Sequence, residues 1–348
     1  STRVCRKARM SITVAPVGNS RILSVGTYRP KRVVPNSEIV DRIDSTDEWI
    51  VQRTGIESRR FAGDDETVIS MAKAACEIAL KRAKLTIADI DTVILSTISY
   101  PFQAPSAATE LINELGNPKA AAFDISAACA GFCYGVAMGS DLVRSGTSKN
   151  VLVIGVEKLS DYTDPDDRAT AFIFADGAGA VVIGQSDQPR IGQTIWGSDA
   201  DSRDAITLTP SFLDFKKNPD KGVGELGWPN ISQQGQVVFR WAVYSMSKVG
   251  LKALEAAGVS VDELGAFIPH QANVRIIETM AKEMKIPDSV LIADDIRTNG
   301  NTSAASIPLA MDRILEEHPE LHGKLALLIG YGAGLVYAGQ VVELPPKP

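Results

Sequence analysis

Histidine and cysteine are scarce in this chain, and their scarcity removes whole classes of chemistry. Three histidines in 348 residues, His270, His318 and His322, are too few for a histidine-rich metal site. Four cysteines, Cys5, Cys76, Cys129 and Cys133, show no paired spacing, which in a chain this long points to reduced thiols and a cytoplasmic setting. No apolar run approaches the roughly 18 residues of a membrane-spanning helix, so a soluble protein is expected. A basic excess is also missing. Lys and Arg number 36 against 42 Asp and Glu, a net charge of −6 that argues against general nucleic-acid binding. Acid is absent only at the start, where residues 1–20 carry Arg3, Arg6, Lys7 and Arg9. That segment lacks the apolar core of a secretory signal and reads as a frayed basic extension, or as sequence before a start at Met10; an organelle-type presequence is the competing reading.

What is present is the composition of a soluble enzyme, 45% hydrophobic and 22% charged, long enough for two domains or one duplicated unit. Periodicity favours the duplication. A helix over 67–84 runs through a short Asp-containing linker into a β-rich run at 92–97, and a helix over 236–257 runs through a similar linker into 266–269. Further elements are expected as a strand at 22–28, helices at 36–43 and 107–115, and strands at 120–125 and 150–156. Residues 21–190 and 191–348 are therefore read as two α/β halves. The glycine-rich stretches 176–184 and 330–334 each run on into a strand rather than a helix. That context excludes a dinucleotide fingerprint and suggests tight turns. Asp164, Asp166 and Asp167 miss the calcium-loop spacing, so no metal is expected.

One stretch carries reactive chemistry. An apolar run ends at residue 125, and a helical pattern with Phe132, Val136 and Leu142 begins with Cys129 in its first turn, ended by Gly146. Helix N-terminal N–H groups favour an anion, so a depressed thiol pKa is expected, and Ala127, Ala128, Ala130 and Gly131 leave room for a substrate. Trp49 and Arg53, four apart in a polar frame, share a helical face and could stack a base and hold a phosphate.

Three stretches then line up: Ala127-Ala128-Cys129-Ala130-Gly131-Phe132, Pro269-His270-Gln271-Ala272-Asn273-Val274-Arg275, and Thr298-Asn299-Gly300-Asn301-Thr302-Ser303 with the residues on to Pro308. Together they resemble the β-ketoacyl-acyl-carrier-protein synthase III family of the thiolase superfamily, over nearly the whole chain. The resemblance implies a five-layered αβαβα thiolase fold with two pseudo-twofold-related halves, and a homodimer. It implies a condensing enzyme that takes an acyl group from acyl-CoA onto Cys129 and joins it to malonyl-acyl carrier protein, with no cofactor beyond the CoA thioester substrate. By the same resemblance His270 and Asn301 handle the malonyl thioester, and backbone N–H groups of Cys129 and Ala333 form the oxyanion hole. Trp49, Arg53 and Arg168 grip CoA, with Asn273 near the pantetheine end. Arg275 and Lys282 dock the carrier protein. Ala104 falls where short-chain members resemble one another in carrying a large aromatic at the end of the acyl channel, so longer or branched acyl groups are expected here. A priming ketosynthase of a polyketide pathway shares this chemistry and is the nearest rival. A thiolase is disfavoured because no cysteine follows Cys133. A non-catalytic thioester binder is disfavoured by the intact Cys129, His270 and Asn301.

Overall fold

The computed structural model describes residues 14–348, so the expectation for residues 1–13, with their basic side chains and Cys5, lies outside the described residues. Of the remainder of the expected extension, Asn19 and Ser20 already belong to the first strand. The chain begins with β1 (Asn19–Tyr28), β2 (Arg32–Pro35), α1 (Asp47–Thr54), β3 (Ser58–Phe61), α2 (Val68–Ala83), β4 (Thr92–Ser96), α3 (Ala107–Leu115) and β5 (Ala121–Ile125). It continues through α4 (Gly131–Arg144), β6 (Asn150–Lys158) and β7 (Asp176–Ser186). The second half runs β8 (Ile195–Ser198), β9 (Ile206–Thr209), α5 (Phe212–Lys217), α6 (Gly222–Leu226), β10 (Asn230–Gln233), α7 (Gly235–Ala257) and β11 (Leu264–Pro269). It closes with α8 (Val274–Glu283), β12 (Leu291–Ile292), α9 (Ile296–Asn299), α10 (Ser306–Glu317), β13 (Leu325–Gly332) and β14 (Val336–Glu343).

Two five-stranded mixed sheets carry the duplication, ordered β1-β7-β6-β4-β5 and β8-β14-β13-β11-β12. Each position in one has its counterpart in the other, with parallel pairing of β4 to β6 matched by that of β11 to β13. Helices α4 and α10 lie between the sheets, α2 and α3 cover one outer face, and α7 and α8 cover the other. The result is the five-layered αβαβα arrangement. Strands buried on both faces read as continuous apolar runs, as in Val151 to Val156 of β6, every residue of which is buried.

Three local expectations are corrected. The 176–184 stretch is not a turn followed by a strand; all of it is β7, and its glycines admit α10, since a Cβ at Gly179 would lie 2.5 Å from Pro308. The turn in 330–334 is likewise confined to its end, because Gly330 and Gly332 are the last residues of β13. The helix expected over 36–43 is only a single 3-10 turn, Asn36–Glu38. There the buried Asn36 side chain donates to Asp47 and to the Ile56 carbonyl, and this tethering replaces helical bonding.

The two halves meet most tightly where β6 passes the turn before α10. A Cβ at Gly155 would lie 2.0 Å from the Ala304 carbonyl oxygen, a backbone atom with no freedom to move aside. Gly155→Ala is expected to destabilise the fold by about 1–3 kcal/mol, the usual cost of overpacking, read as a lower urea midpoint; an unchanged midpoint would show that the halves slide past each other.

Candidate active site

Both halves present the same device at their shared centre. A 3-10 turn, Ala128–Ala130, precedes α4, and another, Ser303–Ala305, precedes α10. Each contains a non-glycine residue in the left-handed region, Ala128 with φ 46° and Ser303 with φ 50°. Such backbone is costly for residues with a Cβ and is retained where the surroundings dictate it. Here it swings Cys129 and the loop carrying Asn301 into one cavity of about 590 Å³. The helix expected to start at Cys129 is thus divided, since Cys129 occupies the 3-10 turn and α4 follows it; α4 closes as expected at Gly146, which takes a left-handed φ of 76° just past the Ser145 cap.

Cys129, His270, Asn301, Ser303, Tyr331, Gly332 and Ala333 all line this cavity. Strand β11 delivers His270 just past its end, and the His270 N–H donates to the Ile329 carbonyl across to β13. The ring is 2% exposed, and its Nδ1 lies 2.7 Å from Ser306 Oγ at the start of α10. That hydroxyl oxygen accepts the Gln271 N–H, so its own proton is free for Nδ1, an assignment that leaves Nε2–H as the donor facing the cavity. Burial lowers the His270 pKa to about 3, which keeps the ring neutral at any ordinary pH. Asn301 is fixed in a matching way. Its Oδ1 accepts the Ser303 N–H at 2.9 Å, and the committed oxygen leaves Nδ2 as a donor. Two neutral donors therefore face the sulfur's cavity.

The depressed thiol pKa expected for Cys129 is not what the structure gives. The residue is buried, and desolvation pushes the thiol up to about 12, only partly opposed by a hydrogen bond from Ser303. Low dielectric outweighs the favourable helix terminus, so a resting thiolate is disfavoured. Beside Cys129, Ala333 occupies the turn after β13, where its N–H can join that of Cys129 around a developing oxyanion.

At the cavity mouth the guanidinium carbons of Arg53 and Arg168 lie 5.3 and 5.7 Å from the Trp49 ring centre. Trp49 also packs edge-on against Phe172 at 5.4 Å, so the indole is a fixed platform between two cations. Arg275 stacks on Phe239 at the same mouth. Lys282 sits exposed at the far end of α8, outside the cavity. Asn273 lines the cavity, but its polar atoms are committed: Oδ1 caps α8 through Arg275 N–H, and Nδ2 donates to the Arg53 carbonyl. Ala104 does not line this cavity. It is exposed on the proline-bearing loop before α3, which the Asp124 carboxylate anchors by accepting the Ala107 and Ala108 N–H groups. Ser306, Ser303 and Tyr331 were not singled out from the sequence. Ser306 lies within the third motif, yet no spacing rule links it to a histidine 36 positions away.

Comparison with known proteins agrees with this geometry. Residues 123–200 match the family described as 3-oxoacyl-[acyl-carrier-protein (ACP)] synthase III, and residues 254–344 match its C-terminal part. The β-ketoacyl-[acyl-carrier-protein] synthase III 1 of Streptomyces coelicolor is 54% identical over 331 residues, covering 94% of this chain and 96% of that one. The chain belongs to the β-ketoacyl-acyl-carrier-protein synthase III family. It is a condensing enzyme, an acyltransferase with the thiolase fold. Among solved structures, the priming β-ketosynthase from the R1128 polyketide biosynthetic pathway matches with TM-score 0.93 and 43% identity, over 97% of this chain and 100% of that one. The Aquifex aeolicus 3-oxoacyl-[acyl-carrier-protein] synthase III matches with TM-score 0.85 and 37% identity, over 93% and 100%.

The neutral His270 has a consequence for stability. Its pKa is depressed in the folded state, so the unfolded chain binds the extra proton, and stability present above pH ~6.5 is lost as pH falls toward ~3. Between pH 7 and 4.5 the wild type should lose about 2–3 kcal/mol more than His270→Gln, at 1.36 kcal/mol per unit, in urea unfolding. Equal losses would mean that the ring is solvated.

Proposed function

We propose that this enzyme transfers an acyl group from acyl-CoA to Cys129 and condenses it with malonyl-acyl carrier protein, giving 3-oxoacyl-acyl carrier protein, CoA and carbon dioxide, to initiate fatty-acid synthesis. The observation that supports this most strongly is the trio of Cys129, a neutral His270 tied to Ser306 and an Asn301 tied to Ser303, all on one cavity. The Trp49, Arg53 and Arg168 cluster suits an adenine with its phosphates, and Arg275, with Lys282 further along α8, suits an acidic carrier domain.

In the first half-reaction the Cys129 sulfur attacks the acyl carbonyl, and the oxyanion rests on the N–H groups of Cys129 and Ala333. With the thiol pKa near 12, its proton leaves as the C–S bond forms. A histidine of pKa about 3 is a poor place to hold that proton. It ends on the departing CoA thiolate, and one thioester replaces another at little thermodynamic cost. In the second half-reaction the bond between the malonyl α-carbon and its carboxylate breaks, carbon dioxide leaves, and the electron pair moves into the thioester. His270 Nε2–H and Asn301 Nδ2–H hold the resulting enolate oxygen. The enolate carbon then attacks the acyl-Cys129 carbonyl, and collapse releases the product and regenerates the thiol with a proton from solvent.

We also propose a homodimer built on β5, which is the edge strand of its sheet. Ala104, exposed on the loop anchored to β5 through Asp124, can close an acyl channel only across such a contact. In that setting Ala104→Phe should shorten the range of acyl-CoAs accepted; an unchanged range would remove Ala104 from the channel. The main reading is tested by separating the half-reactions. His270→Ala and Asn301→Ala should each keep acylation of Cys129 while malonyl decarboxylation falls by ~10²–10³-fold, the usual effect of losing one oxyanion donor. Loss of acylation with intact decarboxylation would reverse the assignment. The rival reading, a polyketide priming ketosynthase, shares every step and differs in the carrier protein that restores turnover.

A further inference from the structure

One buried acid beside the nucleophile has no part in the chemistry described so far. Glu157, near the end of β6, is 0% exposed. Its Oε1 accepts the Ile98 N–H at 2.7 Å, whereas Oε2 is buried without a hydrogen-bond partner. Ile98 is a wall of the acyl cavity. The pleat of β6 fixes where the carboxyl points: Glu157 shares a face with Gly155, and that face abuts Ala304 in the turn before α10. A further buried hydroxyl without a partner, Ser96 Oγ, belongs to the same junction. A Cβ on Gly131, next but one to Cys129, would lie 1.7 Å from Ser96 Oγ. Glu157 is thus packed among the elements that hold the sulfur.

An ionised carboxylate in such a place would need a cation. Among the described residues no salt bridge reaches Glu157. Its neighbour Lys158 points the other way, donating to the Gly63 carbonyl and lying 4.0 Å from Asp161. The titratable groups that face Glu157 are Asp176 of β7, Tyr162 beyond β6 and Cys129 itself. None is cationic. Burial pushes the carboxyl well above the usual range, and the nearby Asp176 acts in the same sense, against the Ile98 N–H and the Thr97 hydroxyl.

We propose that Glu157 is a positioning residue held as a neutral acid beneath Cys129, and that losing its proton slows the nucleophile at alkaline pH. Both half-reactions put negative charge above it, first on sulfur and the oxyanion, then on the malonyl carboxylate and enolate. A neutral Glu157 tolerates that charge, and an ionised one repels it. Glu157 and Cys129 accordingly titrate as a coupled pair, in which one negative charge opposes the other. The inference rests on Cys129 being the acylated nucleophile, and the test below does not require acyl transfer.

The probe is iodoacetamide, with alkylation of Cys129 followed by peptide mass from pH 6 to 10 in wild type, Glu157→Gln and Glu157→Asp. Glutamine copies the neutral acid, so wild type and Glu157→Gln should alkylate at equal rates at pH 6. Once the carboxyl has ionised they should diverge, with Glu157→Gln about tenfold faster, the effect of one pKa unit on the thiolate fraction. Glu157→Asp should restore the wild-type curve shape. Superimposed curves to pH 10, or a constant ratio at every pH as a purely structural change would give, overturn the proposal. If Glu157→Gln does not fold, the wild-type curve alone decides: two steps support the coupled pair, and a single simple ionisation contradicts it. Should Cys129 alkylate as described but never take an acyl group, the condensing reading fails and this one stands.

Discussion

Everything at this active site depends on how closely the nucleophile turn is pressed onto the backbone of β13. A Cβ at Gly332 would lie 2.7 Å from the Cys129 Cβ, and one at Gly330 would lie 2.9 Å from the Ala130 Cα. Only bare backbone fits there, and Ala128 adopts a left-handed conformation to make the approach. The same approach carries the strand's terminal turn, with Ala333, to the sulfur, so that oxyanion donors from both halves converge on it. The duplicated sheets hold the geometry. Each half supplies one turn ahead of one central helix, and the pseudo-twofold brings the turns together with Cys129 on one side and Asn301 and Ser303 on the other.

A second consequence is electrical. The close packing that aligns the groups also strips them of water, and burial drives each toward its neutral form. Cys129 is a thiol with pKa raised to about 12, His270 is an imidazole with pKa lowered to about 3, and the buried Tyr331 hydroxyl beside them is pushed higher still. The resting site is therefore uncharged at its floor, and the cations that line the cavity, Arg53, Arg168, Arg240 and Arg275, are all solvent-exposed. Substrates bring the negative charge. In the proposed mechanism fixed N–H donors stabilise it at the moment it develops, which favours the transition state over the resting enzyme.

Much of this was readable in the sequence, for identifiable reasons. The order of helices, linkers and strands revealed the duplication because each buried strand is a run of apolar residues with its own turn residues at the ends. Cys129 stood out because it sits where an apolar run gives way to a helical pattern, whereas His270 and Asn301 were reached only through the resemblance of their motifs to the family. The glycine runs were misread as turns, since a glycine that opens a turn and one that admits a helix, as Gly179 admits Pro308, look alike along the chain. The Cys129 pKa was misjudged because the sequence shows the helix terminus and conceals the burial. Asn273 shows in the sequence no sign of its ties to Arg53 and Arg275, which only the fold reveals. Glu157 was invisible: one acid at the end of an apolar strand carries no signal until the sheet is closed over it.

The measurement that tests the central claim most directly is intact mass of the wild-type enzyme after incubation with an acyl-CoA, before and after adding malonyl-acyl carrier protein. The account predicts a single acyl adduct mapped to Cys129, discharged by the malonyl carrier protein with release of carbon dioxide and 3-oxoacyl product. An adduct on another residue, or one on Cys129 that malonyl-acyl carrier protein leaves in place, would contradict it.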